Sequence, residues 1–95
     1  MVVGVCQVVL YLHENFSLKG KRQVLKSLVQ RARQRFNISI AEVADHDLWQ
    51  KAVLGICIVG NDRQQINSTL DKVVNFIEST HLTDIADSQL EIINF

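Results

Sequence analysis

The 95-residue sequence contains no proline and only four glycines. It therefore lacks the stiff proline-rich spacers and the flexible glycine-rich linkers that separate domains. The chain also shows no internal repeat and no targeting segment, and its longest apolar run, within residues 1–12, is too short to span a bilayer. We expect a single domain over residues 1–95 with no membrane association.

Cysteine is scarce as well, and the signatures of cofactor sites are missing. The two cysteines lie in strand-like apolar runs, which predicts free thiols in a reducing cytoplasm rather than a disulfide framework. There is no H-x-x-x-H pair, no Cys-x-x-Cys pair and no glycine-rich phosphate loop. The sequence accordingly predicts no cofactor and no metal ion.

Acidic residues are absent from residues 15 to 41, although the net charge of the whole chain is zero. The stretch SLKGKRQVLKSLVQRARQRF, residues 17–36, holds seven of the ten basic residues. The first 40 residues sum to +6 and the remainder to −6. This segregation of charge predicts a charged working surface.

Apolar periodicity predicts four strands and two helices. Residues 2–12 and 52–59 are mostly apolar at both odd and even positions, so both faces of each strand are apolar, which is typical of central strands. Ser17 is the expected N-cap of a first helix, and Asn61 with Gln64 forms a capping-box pattern before a second. The remaining strands are expected at 38–43 and 88–95.

The resulting order, β-α-β-β-α-β, predicts a ferredoxin-like α+β sandwich. In that fold a four-stranded antiparallel sheet is covered on one face by two helices. The strand order 4-1-3-2 would place the two most apolar strands in the centre. Because the first of these strands offers only Tyr11 as an aromatic residue and the other offers none, we exclude RNA binding by base stacking on the sheet.

Three motifs within residues 16–59 resemble a known family. They are S-L-K-x-K-R, R-F-N-x-S-x-A-E-V and D-L-W-Q-x-A-x-L-G, and they resemble the signature region of the YlxP-like family, domain of unknown function 503. The resemblance implies a small bacterial protein with a ferredoxin-like fold and implies no activity. Genes of this family lie in some bacteria near genes of ribosome maturation and transcription. Family members often carry an acidic residue where this chain has Gly20.

The basic helix is the principal candidate for function. It carries like-charge pairs at i,i+4 and no acidic residue of its own, an arrangement that is locally unfavourable. Binding of an anion from outside the chain would relieve this repulsion. We expect a non-enzymatic module that binds structured RNA or a ribonucleoprotein, such as the ribosome. The candidate contacts are Lys19, Lys21, Arg22, Lys26 and Arg33.

Two alternatives stay open. The acidic second half could neutralise the helix, within the chain or across a dimer, in a structural or regulatory protein. A small hydrolase or metal binder could instead use a polar cluster that the topology brings to one end of the domain. That cluster comprises His13, Glu14, Asp45, His46, Asp47 and His81. Trp49 is expected to be a packing anchor beside it.

The sheet face opposite the helices is expected to be apolar and to be covered in a dimer or higher oligomer, because monomers rarely expose so large an apolar patch. The first strand contributes Val3, Val5, Val9 and Tyr11. The third contributes either Val53, Cys57 and Val59 or Ala52, Leu54, Ile56 and Ile58.

Overall fold

The computed structural model describes residues 1–95. Its elements are β1 (Val2–Tyr11), α1 (Leu18–Arg35), β2 (Ser39–Ala44), β3 (Lys51–Gly60), α2 (Arg63–Ser79) and β4 (Asp84–Asn94). The four strands form one sheet in the order β2-β3-β1-β4, with every neighbouring pair antiparallel. The predicted element order and strand order, and with them the ferredoxin-like fold class, are confirmed.

The core lies between the sheet and the two helices. Alternate residues of β1, among them Val8 and Leu10, are fully buried against it. Both helices bury an apolar stripe at helical spacing, which in α2 consists of Ile66, Leu70, Val73 and Ile77. The absence of a side chain at Gly4 permits α2 to approach β1, because a Cβ there would lie 2.5 Å from Ile66 Cγ2.

The helix starts follow from their caps, one predicted correctly and one not. Ser17 is extended, and its hydroxyl accepts a hydrogen bond from the Gly20 amide at 3.0 Å. The N-cap of α2 is Asp62, whose carboxylate accepts from the amides of Gln64 and Gln65. The prediction of Asn61 was one residue early, because Asp62 provides the capping carboxylate.

The last strand is longer than predicted. It begins at Asp84 rather than residue 88, and it pairs with β1 along the whole strand, with a bulge where β1 passes from Val9 to Leu10. Most of its side chains are exposed. An edge strand of this kind is held by its backbone hydrogen bonds, so its first residues show no apolar alternation.

The sheet face opposite the helices, called the open face below, carries Val3, Val5, Val9 and Tyr11 as predicted. Their partners across the β1–β3 ladder include Val59, Cys57 and Val53, so the first of the two alternatives for β3 is correct. A groove of about 740 Å³ crosses this face, with Gly55 and Ala41 in its lining. Neither helix combines the length and the apolar character that a membrane span requires.

Candidate nucleic-acid interface

Lys21 differs from the other cations of α1 because it lies inside the protein. Its residue surface is 1% exposed, and its Nζ forms an ion pair with Glu42 Oε2 at 2.8 Å. The same ammonium donates hydrogen bonds to the carbonyl oxygens of Asp45 at 2.8 Å and Leu48 at 2.6 Å. The prediction that Lys21 contacts phosphate was therefore wrong, since this ammonium is enclosed and fully bonded.

The contacts of Lys21 tie the turn between β2 and β3 to the first turn of α1. The carboxylates of the turn itself, Asp45 and Asp47, do not hold this ammonium. The structure instead uses Glu42 and the backbone carbonyls of the turn, while the Asp45 carboxylate pairs with Lys51 at 3.1 Å. Lys21 is thus a structural residue that fixes the loops beside the helix start.

The outer side of α1 carries five exposed basic side chains and is called the basic face below. Its residues are Lys19, Arg22, Lys26, Arg31 and Arg33. The face spans about 21 Å between its first and last cation at the helical rise per residue. Lys19, Arg22, Lys26 and Arg33, the four surface candidates from the sequence, share one sector about 60° wide at 3.6 residues per turn. Arg31 lies about 120° or more from them, on the other border of the solvent-facing side.

No acidic side chain of the chain pairs with the basic face. The ion pairs of the structure join His13 to Asp84, Lys21 to Glu42 and Lys51 to Asp45. Within the chain, the acidic second half therefore pairs with α1 only through Glu42 and Lys21, and neutralisation of the basic face across a dimer remains the alternative. Unpaired surface cations favour an external anion.

Two of the helix cations have partners other than carboxylates. Arg33 Nη2 donates to the carbonyl oxygen of Ile40 at 3.0 Å, which links the helix to β2. Arg35 lies over the Phe76 ring at 4.8 Å from its centroid, a cation–π contact with α2. Lys19, Arg22, Lys26 and Arg31 have no such protein partner.

Neutral polar residues fill the space between these cations. A shallow depression on the outer side of α1 is lined by Gln23, Lys26, Ser27, Gln30, Arg31 and Gln34, without any apolar residue. Amide and hydroxyl groups of this kind are common hydrogen-bond donors to phosphate and sugar oxygens. The sequence reasoning missed these residues, although their spacing of three and four placed them opposite the buried stripe.

The start of α1 is fixed to the β2–β3 turn by Asn15. Its side-chain amide donates to the carbonyl oxygens of Ser17, at 3.0 Å, and of Trp49. Gly20 provides the space for this arrangement, since a Cβ there would collide with Asn15 Oδ1. The glycine that departs from the family pattern therefore accommodates a local side-chain bridge.

Trp49 is not the packing anchor that we expected. It retains 42% of its surface exposure and packs against Phe16, which is 73% exposed, with ring centroids 6.0 Å apart. Phe16 directly precedes the helix cap, so this aromatic pair borders the basic face at its N-terminal end. No sequence signal set Phe16 apart from a buried residue.

The loop-end polar residues lie at one end of the sheet, as the topology predicts, but they do not form a metal centre. Tyr11 pairs with both Lys51 and Asp84, which brings the three loops together. His13 pairs with Asp84, and Glu14, His46, Asp47 and His81 are exposed. No group of three or more His, Cys, Asp or Glu side chains has the arrangement of a metal site.

Glu14, Asp45 and His81 adopt positive φ angles of 59°, 59° and 55°. These are the left-handed conformations in which loops reverse direction.

The fold and the charge distribution define a ferredoxin-like α+β domain whose first helix exposes cations without acidic partners. The profile of the family described as "Protein of unknown function (DUF503)" matches residues 3–90. The chain belongs to this family, and the expected resemblance is confirmed. "Uncharacterized protein YlxP" of Bacillus subtilis (strain 168) is 36% identical over 78 residues, which cover 82% of this chain and 85% of the relative.

Solved structures confirm the fold alone. "Structural Genomics, protein YJCS" superposes with a TM-score of 0.55 at 12% identity, covering 97% of this chain and 99% of that protein. A "dimeric ferredoxin-like protein" from an uncultured marine organism has a TM-score of 0.50 at 7% identity, covering 99% and 96%. Identities this low carry no residue roles to the present chain.

Proposed function

We propose that this protein is a non-enzymatic module that binds the phosphate backbone of structured RNA, free or within a ribonucleoprotein such as the ribosome, through the basic face of α1. The observation that carries the proposal is that Lys19, Arg22, Lys26 and Arg31 are exposed without an acidic partner in the chain. Clusters of unpaired cations on one helix face are the electrostatic footprint of nucleic-acid binding.

The structure of the helix supports a backbone contact rather than sequence readout. The basic face carries cations and neutral amides around a shallow depression, so it can contact a phosphate chain without entering a groove deeply. The sheet does not provide the stacking surface of an RRM, because β1 and β3 carry Tyr11 as their only aromatic residue. Both cysteines are free, which suits the cytoplasmic location that the proposal requires.

Salt dependence of binding to an RNA hairpin tests the proposal. If Lys19, Arg22, Lys26 and Arg33, which share one side of the helix, each neutralise one phosphate, the log of the association constant should fall against the log of salt concentration with a slope of about −3 to −4. A slope near zero, or no binding to RNA at low salt, contradicts the proposal. The same hairpin in a different sequence with equal charge should bind equally well.

A second proposal concerns the open face, which a second copy of the chain would cover. Tyr11, Val43, Val59 and Ile93 are each more than 40% exposed, and Val3, Val5 and Val9 add half-buried apolar surface between them. Gln7, Gln89 and Glu91 lie among these residues along the groove, so the face carries apolar patches that a second copy would remove from water. The similarity to a dimeric ferredoxin-like protein adds a precedent for this fold.

The size of the open face fits a dimer. Strands of about ten residues extend about 33 Å, and four strands span about 19 Å, so each copy offers on the order of 600 Å². If each face is treated as flat, two copies would bury about 1,200 Å² in total, which is the lower bound for stable interfaces. This pairing leaves the basic face of α1 exposed on the opposite side of each copy, so the two proposals are compatible.

A further inference from the structure

The aromatic pair, Phe16 and Trp49, lies at the surface, outside the hydrophobic core. A residue that precedes an N-cap often packs against the fourth helical residue as a hydrophobic staple. Here that fourth residue is Lys21, which is buried in its own ion pair, and Phe16 remains 73% exposed. The ring therefore contributes little to the core and is available to a ligand.

The pair is nevertheless held firmly in place. Asn15 bonds the carbonyl of Trp49 to the helix start, and Lys21 bonds the neighbouring carbonyl of Leu48 at 2.6 Å. The two rings are inclined by 57°, so they form the walls of an open corner rather than a closed stack. Because the backbone on the Trp49 side of the corner is anchored, less entropy is lost there when a flat ring enters.

We propose that the aromatic pair stacks an unpaired nucleobase of an RNA whose phosphates lie on the basic face of α1. The inference rests on the proposed function and narrows its ligand to RNA with a single-stranded base next to the contacted backbone. Proximity carries it: Phe16 lies three residues before Lys19 and six before Arg22, and both cations are exposed. An aromatic surface joined to cations recognises single-stranded nucleic acid by stacking and charge together.

Charge also argues against a protein partner at this corner. The surface that continues from it along α1 bears five cations and no acid, so an apolar peptide would need acidic flanks to match it. A nucleotide supplies the flat apolar ring and the negative charge in one unit. Protein docking is therefore an outcome to be tested rather than the preferred occupant.

Trp49 is the only tryptophan, so its fluorescence reports directly on stacking. We compare an unstructured RNA oligonucleotide, a blunt RNA duplex with the same number of phosphates, and inorganic polyphosphate. Stacking predicts quenching of Trp49 by the unstructured RNA alone. Phe16→Ala should weaken binding of that RNA by at least about 5-fold and leave polyphosphate binding unchanged.

Two further variants identify the origin of the effect. Phe95→Ala makes the same chemical change at another exposed phenylalanine, 87% exposed at the far end of the sheet, and should alter neither ligand. Phe16→Leu keeps an apolar side chain without a flat ring, and stacking predicts that it binds RNA as weakly as Phe16→Ala. Melting curves confirm that each variant is folded.

The outcomes separate the two proposals. If RNA and polyphosphate bind equally, without quenching and without an effect of Phe16→Ala, the stacking inference is overturned while the phosphate-binding function stands. If Phe16→Leu restores the binding that Phe16→Ala loses, the corner docks an apolar group and stacking is again overturned. The same conclusion follows if Phe16→Ala abolishes binding of a protein partner and that binding survives ribonuclease treatment. If none of the three polyanions binds, the proposed function itself fails.

Discussion

At the scale of single residues, Lys21 and Arg22 show how adjacent cations acquire opposite roles. Lys21 stands at helical spacing before Leu25, Leu28 and Ala32, all of them buried, so its stem enters the core and its ammonium needs an internal partner. Arg22 lies one residue further round the helix and is exposed. The spacing was readable from the sequence, but the partner was not, because Glu42 becomes visible only when β2 is placed beside α1.

Replacing Lys21 should cost far more stability than replacing an exposed cation of the same helix. Lys21→Met leaves the Glu42 carboxylate without its cation and the carbonyls of the turn without their donor, and we expect a loss of about 3–5 kcal/mol in the free energy of unfolding. Lys26→Met, on the basic face, should change it by less than about 0.5 kcal/mol. Urea denaturation measures both.

The double variant Lys21→Met, Glu42→Leu refines this prediction. It removes both charges, so it should recover part of the stability that Lys21→Met loses. A loss below about 1 kcal/mol in Lys21→Met would show that the buried ammonium contributes little to the fold.

At the scale of secondary-structure elements, burial decides how much the sequence could predict. β1, β3 and both helices are apolar in patterns that follow their geometry, and their positions were predicted to within a few residues. The start of β4 was missed because the strand lies at an edge, where Asp84, Asp87 and their neighbours face solvent. The aromatic pair was missed for a related reason, since apolar residues in a loop resemble core residues until the loop is placed.

The packing of α2 on β1 depends on Gly4. A Cβ at this position would lie 2.5 Å from Ile66 Cγ2 and 2.8 Å from Leu70 Cδ1, so Gly4→Ala should push the helix from the sheet and cost about 1–3 kcal/mol. Gly60→Ala is the matched control, because its Cβ meets only the Ile66 side chain, at 3.2 Å. Equal melting temperatures for the two variants would contradict this description of the packing.

At the scale of the whole molecule, the segregation of charge seen in the sequence persists in three dimensions. The acidic residues of α2 and β4 form no ion pair with the basic face, and the exposed apolar side chains of the open face lie on the other side of the sheet. The strand order was predictable because the two most apolar strands must be central. Whether the basic face is paired within the chain was not predictable, because a sum of charges along the sequence does not show which side chains form ion pairs.

Association through the open face can be followed by the two cysteines. Cys57 lies on that face, so its alkylation should slow as the protein concentration rises and the dimer forms. Cys6 faces the core, where burial, and to a lesser extent the charge of Asp71, raises the pKa of its thiol. It should react slowly at every concentration, because the thiolate is the nucleophile.

Sedimentation provides the control for this prediction. Val5→Lys places a charge on the open face, outside the core, and should yield a folded monomer with rapidly alkylated Cys57 at all concentrations. A wild-type protein that sediments as a monomer at micromolar concentration would rule out the dimer.

The most direct test of the RNA-binding proposal compares two double variants of equal charge. Arg22→Gln, Lys26→Gln removes two cations from the basic face, and Arg63→Gln, Lys72→Gln removes two exposed cations from α2. We predict that the first weakens binding to an RNA hairpin and makes the salt slope less steep by about 1.5 to 2, at an unchanged melting temperature, while the second preserves both affinity and slope. Unchanged RNA binding of the first variant, or an equal loss in the two, would contradict the proposal.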